Sequence, residues 1–223
     1  MKRGAAISLL TGMAVAGGAV ATYAYLIRPW HLGWGATSFE CNETLPGDEL
    51  VPRPDNQATH AITINAAPED VWPWIVQVGQ TRGGFYSYTW LENMVGCRMR
   101  NADRIVPEWQ NLELDDQVWL HPKAPPLYVV ALEPLRAIVL GNSLLEPGSD
   151  GGADVSGTWG FFLKRIDGGT TRLLARNRWV RRSGLVDWLS TYVVLEPAHF
   201  VMERKMLLGI KSRVEGQDRD RRL

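Results

Sequence analysis

The sequence predicts an α+β fold built around an antiparallel sheet, and three observations lead to this prediction. Residues 58–65 combine β-branched side chains with the two-residue alternation of a half-buried strand, and Pro68 with two acidic residues then opens a helix. Residues 117–180 hold several strand-like runs. The chain becomes helical again towards its C-terminus. Strands grouped between helices, instead of alternating with them, favour an antiparallel sheet over β-α-β units.

The elements follow in order along the chain. The first helix begins near residue 67 and should end at Gly79, and Pro73 inside it predicts a tight first turn or a kink because proline lacks a backbone donor. A short helix is predicted over residues 90–95. The run Asp167-Gly168-Gly169 is a strong hairpin signal. The predicted strands are 58–65, 117–121, 127–132, 136–140, 158–166 and 171–180.

The C-terminal region is predicted as two helical segments. Residues 185–195 form the first, and Glu196-Pro197 ends it because proline cannot continue an interior helix without losing a hydrogen bond. Pro197 also suits the first turn of a second helix, which we expect to run to about Val214. The charged residues 215–223 then form a frayed tail.

The N-terminal segment predicts contact with membrane lipid. Residues 5–27 contain no charged side chain, and as a helix those 23 residues would span about 34 Å, enough to cross the hydrocarbon layer. A cleaved signal peptide is the competing interpretation, with Ala-Val-Ala at 19–21 as its cleavage pattern. The apolar run continues beyond that pattern, which favours an uncleaved single-pass anchor. Lys2 and Arg3 favour a cytoplasmic N-terminus and an extracytoplasmic domain.

Composition argues against several classes of protein. The chain has 24 basic and 24 acidic residues, so no charge excess indicates a nucleic-acid partner. Cys41 and Cys97 lack the spacing of a zinc site, and we expect no metal and no other cofactor. Unpaired thiols are the favoured interpretation, and one disulfide is the alternative if the domain faces an oxidising compartment.

The first strand-to-helix junction resembles that of a known superfamily. Residues 62–72 read Ile-Thr-Ile-Asn-Ala-Ala-Pro-Glu-Asp-Val-Trp. Together with Glu133-Pro134 before a strand, the Asp-Gly-Gly hairpin and a long last helix, this pattern resembles the SRPBCC superfamily over roughly residues 58–214. That superfamily includes START-type lipid-transfer domains, birch-pollen-allergen-like proteins and polyketide cyclase/dehydrase-like proteins.

The resemblance implies a helix-grip fold. In that fold a curved antiparallel sheet wraps around a long C-terminal helix, and a ligand cavity lies between them. The members bind many apolar ligands and only some catalyse reactions, so the resemblance implies the fold more than the function. The expected division of the chain is a membrane anchor at 1–27, a linker lying over the domain at 28–57, the ligand-binding domain at 58–214 and the tail at 215–223.

The last helix carries a titratable pair on its apolar side. His199 and Glu203 are four residues apart and fall within an arc of apolar side chains. A buried pair of this kind needs hydrogen-bond partners, so it either fixes the position of the helix or faces a ligand. As an acid/base pair it would suit proton transfer from an enolisable substrate. A metal site is disfavoured because the sequence supplies no third ligand nearby.

Further residues are candidates for ligand contacts. The aromatic cluster at 86–90 could line the mouth of a pocket, although such clusters more often pack under a loop. Methionines on the last helix suit a deformable pocket wall, although they are more often plain core. The predicted ligand-binding residues are Tyr86, Tyr88, Trp90, Trp159, Asn177, His199, Met202, Glu203 and Met206.

A run of five arginines lies in residues 172–182. We interpret it as a solvated sheet face or as a basic patch for anionic lipid headgroups.

Three functions are compatible with these features. The first is a membrane-anchored binding protein for a small hydrophobic ligand, such as a lipid or a polyketide-like aromatic molecule. The second is a cyclase/dehydratase-type enzyme with His199 and Glu203 as acid and base. The third is a non-catalytic interaction protein of the envelope whose core is filled by side chains.

Overall fold

The computed structural model describes residues 18, 21–143, 155–180, 184 and 190–221, and within them the chain forms one six-stranded antiparallel sheet with a long C-terminal helix. The strand order is β1-β6-β5-β4-β3-β2. The strands are β1 Asn56–Ile64, β2 Gln117–Val118, β3 Leu127–Glu133, β4 Ala137–Gly141, β5 Gly157–Asp167 and β6 Thr170–Trp179. The α-helices are α1 Arg28–Leu32, α2 Ser38–Asn42, α3 Pro68–Val76, α4 Thr89–Met94 and α5 Glu196–Arg221.

The predicted α+β class and the antiparallel sheet are confirmed. The hairpin at Gly168-Gly169 joins β5 to β6, and β6 pairs with β1 along nine residues of each strand. One strand is shorter than expected, since β2 covers two residues where the sequence predicts 117–121. Beyond Val118 the chain no longer pairs with β3, and the Trp119 carbonyl accepts the Gln80 backbone N–H at 2.7 Å.

The prolines act differently at the two ends of the domain. Pro68 begins α3, where its missing N–H would have no partner anyway, and Pro73 lies near the end of this nine-residue helix. The prediction that Pro197 lies in the first turn of a second helix is confirmed. The described stretch before it, Ser190–Leu195, is a π-helical turn that runs into α5 without an intervening loop. The first part of the predicted segment 185–195 lies outside the described residues.

The last helix is also longer than the sequence predicts. It continues past Val214 to Arg221. Beyond Val214 it is held by Glu215, which forms an i,i+4 ion pair with Lys211 at 3.1 Å and accepts the Asn65 backbone N–H at 2.9 Å. These contacts to the body of the domain order a turn that charge composition alone assigned to a frayed tail.

The main hydrophobic core lies between the sheet and helices α3 and α5. Trp74 from α3, Leu207 and Ile210 from α5 and Leu173 from β6 are all fully buried in it. Gly209 allows α5 to approach the backbone at Tyr86 closely, because a Cβ atom built there would lie 2.3 Å from the carbonyl oxygen of Tyr86. A side chain at this position would push α5 away from the 86–88 segment.

The opposite face of the sheet is covered by residues 35–51. Leu45 from this segment packs with Val139, Phe162 and Leu174 in a second hydrophobic cluster. Helix α2 within the segment has a capping box, in which the side chain of Thr37 and that of its third helical residue each accept the other's backbone N–H. The segment therefore has its own helical structure and buries the outer face of the sheet.

The arginines of β6 hold this covering segment to the sheet. Arg172 donates two hydrogen bonds to the carboxylate of Glu40, at 2.7 and 2.8 Å, and holds the pKa of that carboxyl at about 2. Arg176 is only 2% exposed and donates to Asp48 at 2.7 Å. Both sequence interpretations are therefore wrong for these positions, because the guanidinium groups face protein carboxylates instead of water or lipid headgroups. The last two arginines of the run lie outside the described residues.

Most of the predicted membrane segment, residues 1–17 with 19 and 20, lies outside the described residues. In the part of the chain that the structure describes, no helix combines the length and apolar character needed to cross a bilayer. The described residues from 21 to 32 are helical, with a π-helical turn at Tyr23–Ile27 followed by α1. Cys41 and Cys97 are free thiols, as favoured from the sequence.

Candidate functional site

A buried carboxylate on α5 is the centre of a polar cluster. Glu203 is 2% exposed. Its Oε1 atom accepts hydrogen bonds from Trp159 Nε1 at 2.6 Å and from Asn177 Nδ2 at 2.9 Å, and its Oε2 atom is paired with Nδ1 of His60. Both oxygens of the carboxylate are therefore occupied by partners from the sheet.

Strand register explains why these partners meet. Trp159 on β5 and Asn177 on β6 are directly opposite each other, and Ala58 on β1 is opposite Asn177. Side chains two residues apart on a strand share a face, so His60 lies on the same side as Ala58. Three neighbouring strands thus present one polar group each towards α5, and Glu203 meets all three.

His60 is the functional residue that sequence reasoning missed. Its Nε2 atom lies 2.8 Å from the carbonyl oxygen of His31, which can only accept, while Nδ1 faces the Glu203 carboxylate. Each ring nitrogen thus has an oxygen within hydrogen-bond distance, and the imidazole links α1, β1 and α5. A signal was present, since His60 precedes the predicted inward residues Ile62 and Ile64 by even steps and shares their face.

The charge on Glu203 is stabilised by its neighbours. Burial alone would raise the pKa of this carboxyl, but the imidazoles of His199 and His60 outweigh burial and hold the pKa below its usual range. The converse applies to His199, where burial opposes the charged form and the Glu203 carboxylate raises the pKa above its usual value. The cluster therefore favours an ionised carboxylate between basic rings.

His199 is the member of the predicted pair that faces open space. Its side chain is 31% exposed and that of Glu203 is 1% exposed. The Nε2 atom of His199 lies 2.8 Å from Asn177 Nδ2 and 3.4 Å from Glu203 Oε1. With the Asn177 amide in this orientation, Nε2 accepts a hydrogen bond, and protonation at Nε2 requires the amide to turn.

A cavity of about 660 Å³ lies beside this cluster. Sheet residues, α4 and α5 enclose it, and most of its walls are apolar. His199, Asn177 and Glu203 form one polar part of its lining, and Glu92 on α4 is a further acidic residue there. The apolar lining residues include Phe85, Leu91, Val95, Cys97, Leu120, Leu127, Trp159, Trp179, Val180, Ala198, Met202 and Met206.

The structure brings six of the nine predicted ligand-binding residues to this cavity and places three elsewhere. The six that line it are Trp159, Asn177, His199, Met202, Glu203 and Met206. Tyr86, Tyr88 and Trp90 are absent from its lining among the described residues.

Each of the three tyrosine and tryptophan side chains has another position. The hydroxyl of Tyr86 lies in the core, where it donates to the Trp74 carbonyl at 3.1 Å, and Gln77 donates to it at 2.9 Å. Burial raises the pKa of this phenol above its usual range. The ring of Tyr88 lies under the ammonium of Lys205. Trp90 is 64% exposed on α4. Their clustering in sequence does not bring them together because the chain turns at Tyr86, whose φ is 54°.

The described residues contain no group of three or more His, Cys, Asp and Glu side chains placed to hold a metal ion.

Comparison with known proteins gives structural similarities at low sequence identity. Protein MLL2253 from Mesorhizobium loti is 15% identical, with 72% of this chain and 97% of that chain covered and a TM-score of 0.41. Truncated norcoclaurine synthase from Thalictrum flavum is 9% identical, with 71% and 92% covered and a TM-score of 0.38. The Aha1 dimer from Colwellia psychrerythraea is 14% identical, with 72% and 96% covered and a TM-score of 0.36.

The architecture is consistent with a helix-grip fold. The features that agree with this fold are the six-stranded antiparallel sheet and the C-terminal helix packed on it. At TM-scores below 0.5, these similarities do not support any inference about function. No family model matches the chain, and no curated protein matches it.

Proposed function

We propose that this protein binds a small, mostly apolar ligand in the cavity between the sheet and α5. The observation that carries the proposal is a cavity of about 660 Å³ with apolar walls and a buried polar cluster in its lining. This volume lies within the range of small-molecule sites, which typically combine apolar walls with a few placed polar groups. Such a cavity argues against the interaction protein with a filled core.

The polar cluster would orient the ligand through His199 and Asn177. Glu203 is already occupied by His60, Trp159 and Asn177, so it positions the other groups instead of reacting with a ligand. His199 is partly exposed towards the cavity and can exchange a hydrogen bond with a hydroxyl or carbonyl group. Apolar burial would supply the affinity, and this hydrogen bond would set the orientation.

Ligand extraction tests the binding proposal. We expect organic solvent to release a co-purifying apolar molecule from the purified full-length chain, detected by mass spectrometry. Met202→Trp should fill the cavity and abolish this molecule, since Met202 lines the cavity. Val201→Trp is the matched control, because Val201 is the adjacent residue of α5 and is 45% exposed. An empty wild-type extract, or a ligand retained in Met202→Trp, contradicts the proposal.

A proton-transfer enzyme is the second candidate. It is favoured by one observation, a His199 ring that lines the cavity beside a carboxylate that raises its pKa. In this version His199 exchanges the proton, and Glu203 acts only as its positioning residue. The extracted ligand should then take up deuterium at carbon when the chain is incubated in D₂O, with one C–H bond replaced by C–D. His199→Gln should abolish the uptake and retain the ligand, whereas a wild-type ligand without deuterium refutes the enzyme.

We also propose that residues 5–27 anchor the protein in a membrane, with the domain on the extracytoplasmic side. Support comes from the described end of this segment, where Tyr25 is 79% exposed and Leu26 68% exposed, and from Trp30 at 58%. The full-length chain should remain in the membrane fraction after alkaline carbonate washing. Val15→Arg should reduce this retention, since arginine at the centre of a span costs about 2.5–3.5 kcal/mol. A wild-type chain released by carbonate contradicts the anchor.

A further inference from the structure

Glu92 is a buried acid that borders the cavity. It lies on α4 and is 5% exposed. Within the described part of the chain, neither oxygen of its carboxyl group has a hydrogen-bond partner. The Cys97 backbone N–H donates to the Glu92 backbone carbonyl at 3.1 Å, so the backbone is satisfied and the side chain alone is left open.

An acid in this state is costly for the folded protein. Burial raises the pKa of Glu92, because the charged form loses its hydration and gains no partner. A buried polar group without a hydrogen bond typically costs about 1–3 kcal/mol, and buried groups left unsatisfied call for an explanation. A side chain that opposes stability in the free protein and borders a cavity is a candidate for ligand recognition.

The basic residues of the described lining, Arg178 and His199, already have hydrogen-bond partners. The guanidinium of Arg178 donates to the Val51 carbonyl at 2.9 Å and to Gln57 Oε1 at 2.6 Å, on the outer face of the sheet. His199 is held by Asn177 and Glu203. Among the described lining residues neither basic group is free to compensate Glu92, which makes a cation carried by the ligand the candidate partner.

We propose that Glu92 is a subsite for a protonated amine carried by the apolar ligand. The inference rests on the proposed binding function and adds the chemical class of the ligand. Two unpartnered carboxylate oxygens can accept several N–H donors, and an ammonium group also supplies the missing positive charge. A hydroxyl group could satisfy one oxygen and would leave the charge uncompensated. The amine would bind to Glu92 on α4, and a second polar group of the ligand would reach His199 in another part of the cavity.

Three probes of equal chain length test the subsite. Octylamine, 1-octanol and octanoate differ only in the end group, and at pH 7 the amine is protonated and octanoate is ionised. Isothermal titration calorimetry on the purified full-length chain should show octylamine binding about tenfold or more tightly than 1-octanol, with octanoate weakest. Glu92→Gln keeps the shape and removes the charge, so octylamine should lose about tenfold or more while 1-octanol stays within about threefold.

Glu108→Gln is the matched control, because Glu108 is exposed and lies outside the cavity lining among the described residues. It should leave all three affinities unchanged. Equal binding of amine and alcohol to the wild type overturns the subsite, and this readout needs no variant to fold. An equal loss for both probes in Glu92→Gln also overturns it. If the broader binding proposal is wrong, none of the three probes binds the wild type, which distinguishes that outcome from failure of the subsite alone.

Discussion

The sharpest prediction concerns Glu203, whose carboxylate joins α5 to three strands. Glu203→Ala removes the acceptor of hydrogen bonds from Trp159 and Asn177 and the partner of His60, all in a region shielded from water. Glu203→Gln keeps the shape. The amide oxygen of glutamine can accept from Trp159 and Asn177, and its N–H can donate to Nδ1 of a neutral His60 that still donates from Nε2.

The two substitutions should differ strongly in free energy of unfolding. Breaking a buried ion pair by removing one partner costs about 3–5 kcal/mol, which we expect for Glu203→Ala. For a chain of this size that loss corresponds to a decrease in Tm of roughly 6–20 °C. Glu203→Gln retains the hydrogen bonds and loses only their charge assistance, so we expect a cost of about 1–2 kcal/mol.

Urea unfolding followed by far-ultraviolet circular dichroism measures both values, because the signal reports the helices and the sheet without depending on Trp159. A cost below about 1 kcal/mol for Glu203→Ala would mean that water replaces the lost carboxylate and that the cluster does not hold the fold together. Equal costs for the two variants would refute the hydrogen-bond reasoning. In that case the charge alone, instead of the arrangement of acceptors, would determine stability.

Three further predictions follow from the same structure. The pKa of Glu203 is lowered in the folded state, so the charged carboxylate stabilises the fold above the unfolded-state pKa of about 4.3. This stabilisation is lost as the pH falls below that value. The difference in free energy of unfolding between wild type and Glu203→Gln should therefore shrink in urea titrations carried out towards pH 3. Gly209→Ala should lower the free energy of unfolding by about 1–3 kcal/mol, because the new Cβ meets a backbone oxygen. Gly216→Ala, in open space on the same helix, should raise it by up to about 1 kcal/mol. Equal shifts in Tm for the two variants would contradict this reasoning. Arg176→Lys should cost about 2 kcal/mol or more and expose residues 35–51 to limited proteolysis, because lysine cannot reproduce the planar fork of the guanidinium group. Arg165→Lys, at a 46% exposed ion pair, should leave the cleavage pattern unchanged.

Several elements could be predicted because their signals are local. Pro68 and the acidic residues behind it mark the start of α3, and the Asp-Gly-Gly run marks the β5–β6 hairpin. Each of these signals lies within a few residues of the structure that it specifies. The same local reasoning placed Pro197 in the first turn of the last helix, where the structure has it, but it could not show that a π-helical turn leads into α5 without a loop, since that depends on the path of the chain before it.

The arginines of β6 show why a correct strand pattern can lead to a wrong surface. Alternation along β6 separates Arg172 and Arg176 from Leu173 and Ala175, and the structure has that alternation. Whether the arginine face meets water depends on what packs there. The carboxylates that pair with these arginines come from Glu40 and Asp48, more than 120 residues earlier in the chain.

The sequence by itself determined the alternation of strands, the first helix and the spacing that places His199 and Glu203 on one side of α5, because each depends on residues a few positions apart. Only the tertiary structure decided the partners of Glu203, since His60 lies 143 residues away and reaches it through the pairing of β1 with β6. It also decided that Glu92 borders a cavity and that its carboxyl group has no hydrogen-bond partner among the described residues. Burial and hydrogen bonding are properties of groups brought together from distant parts of the chain, and strand register with helix packing sets which groups those are.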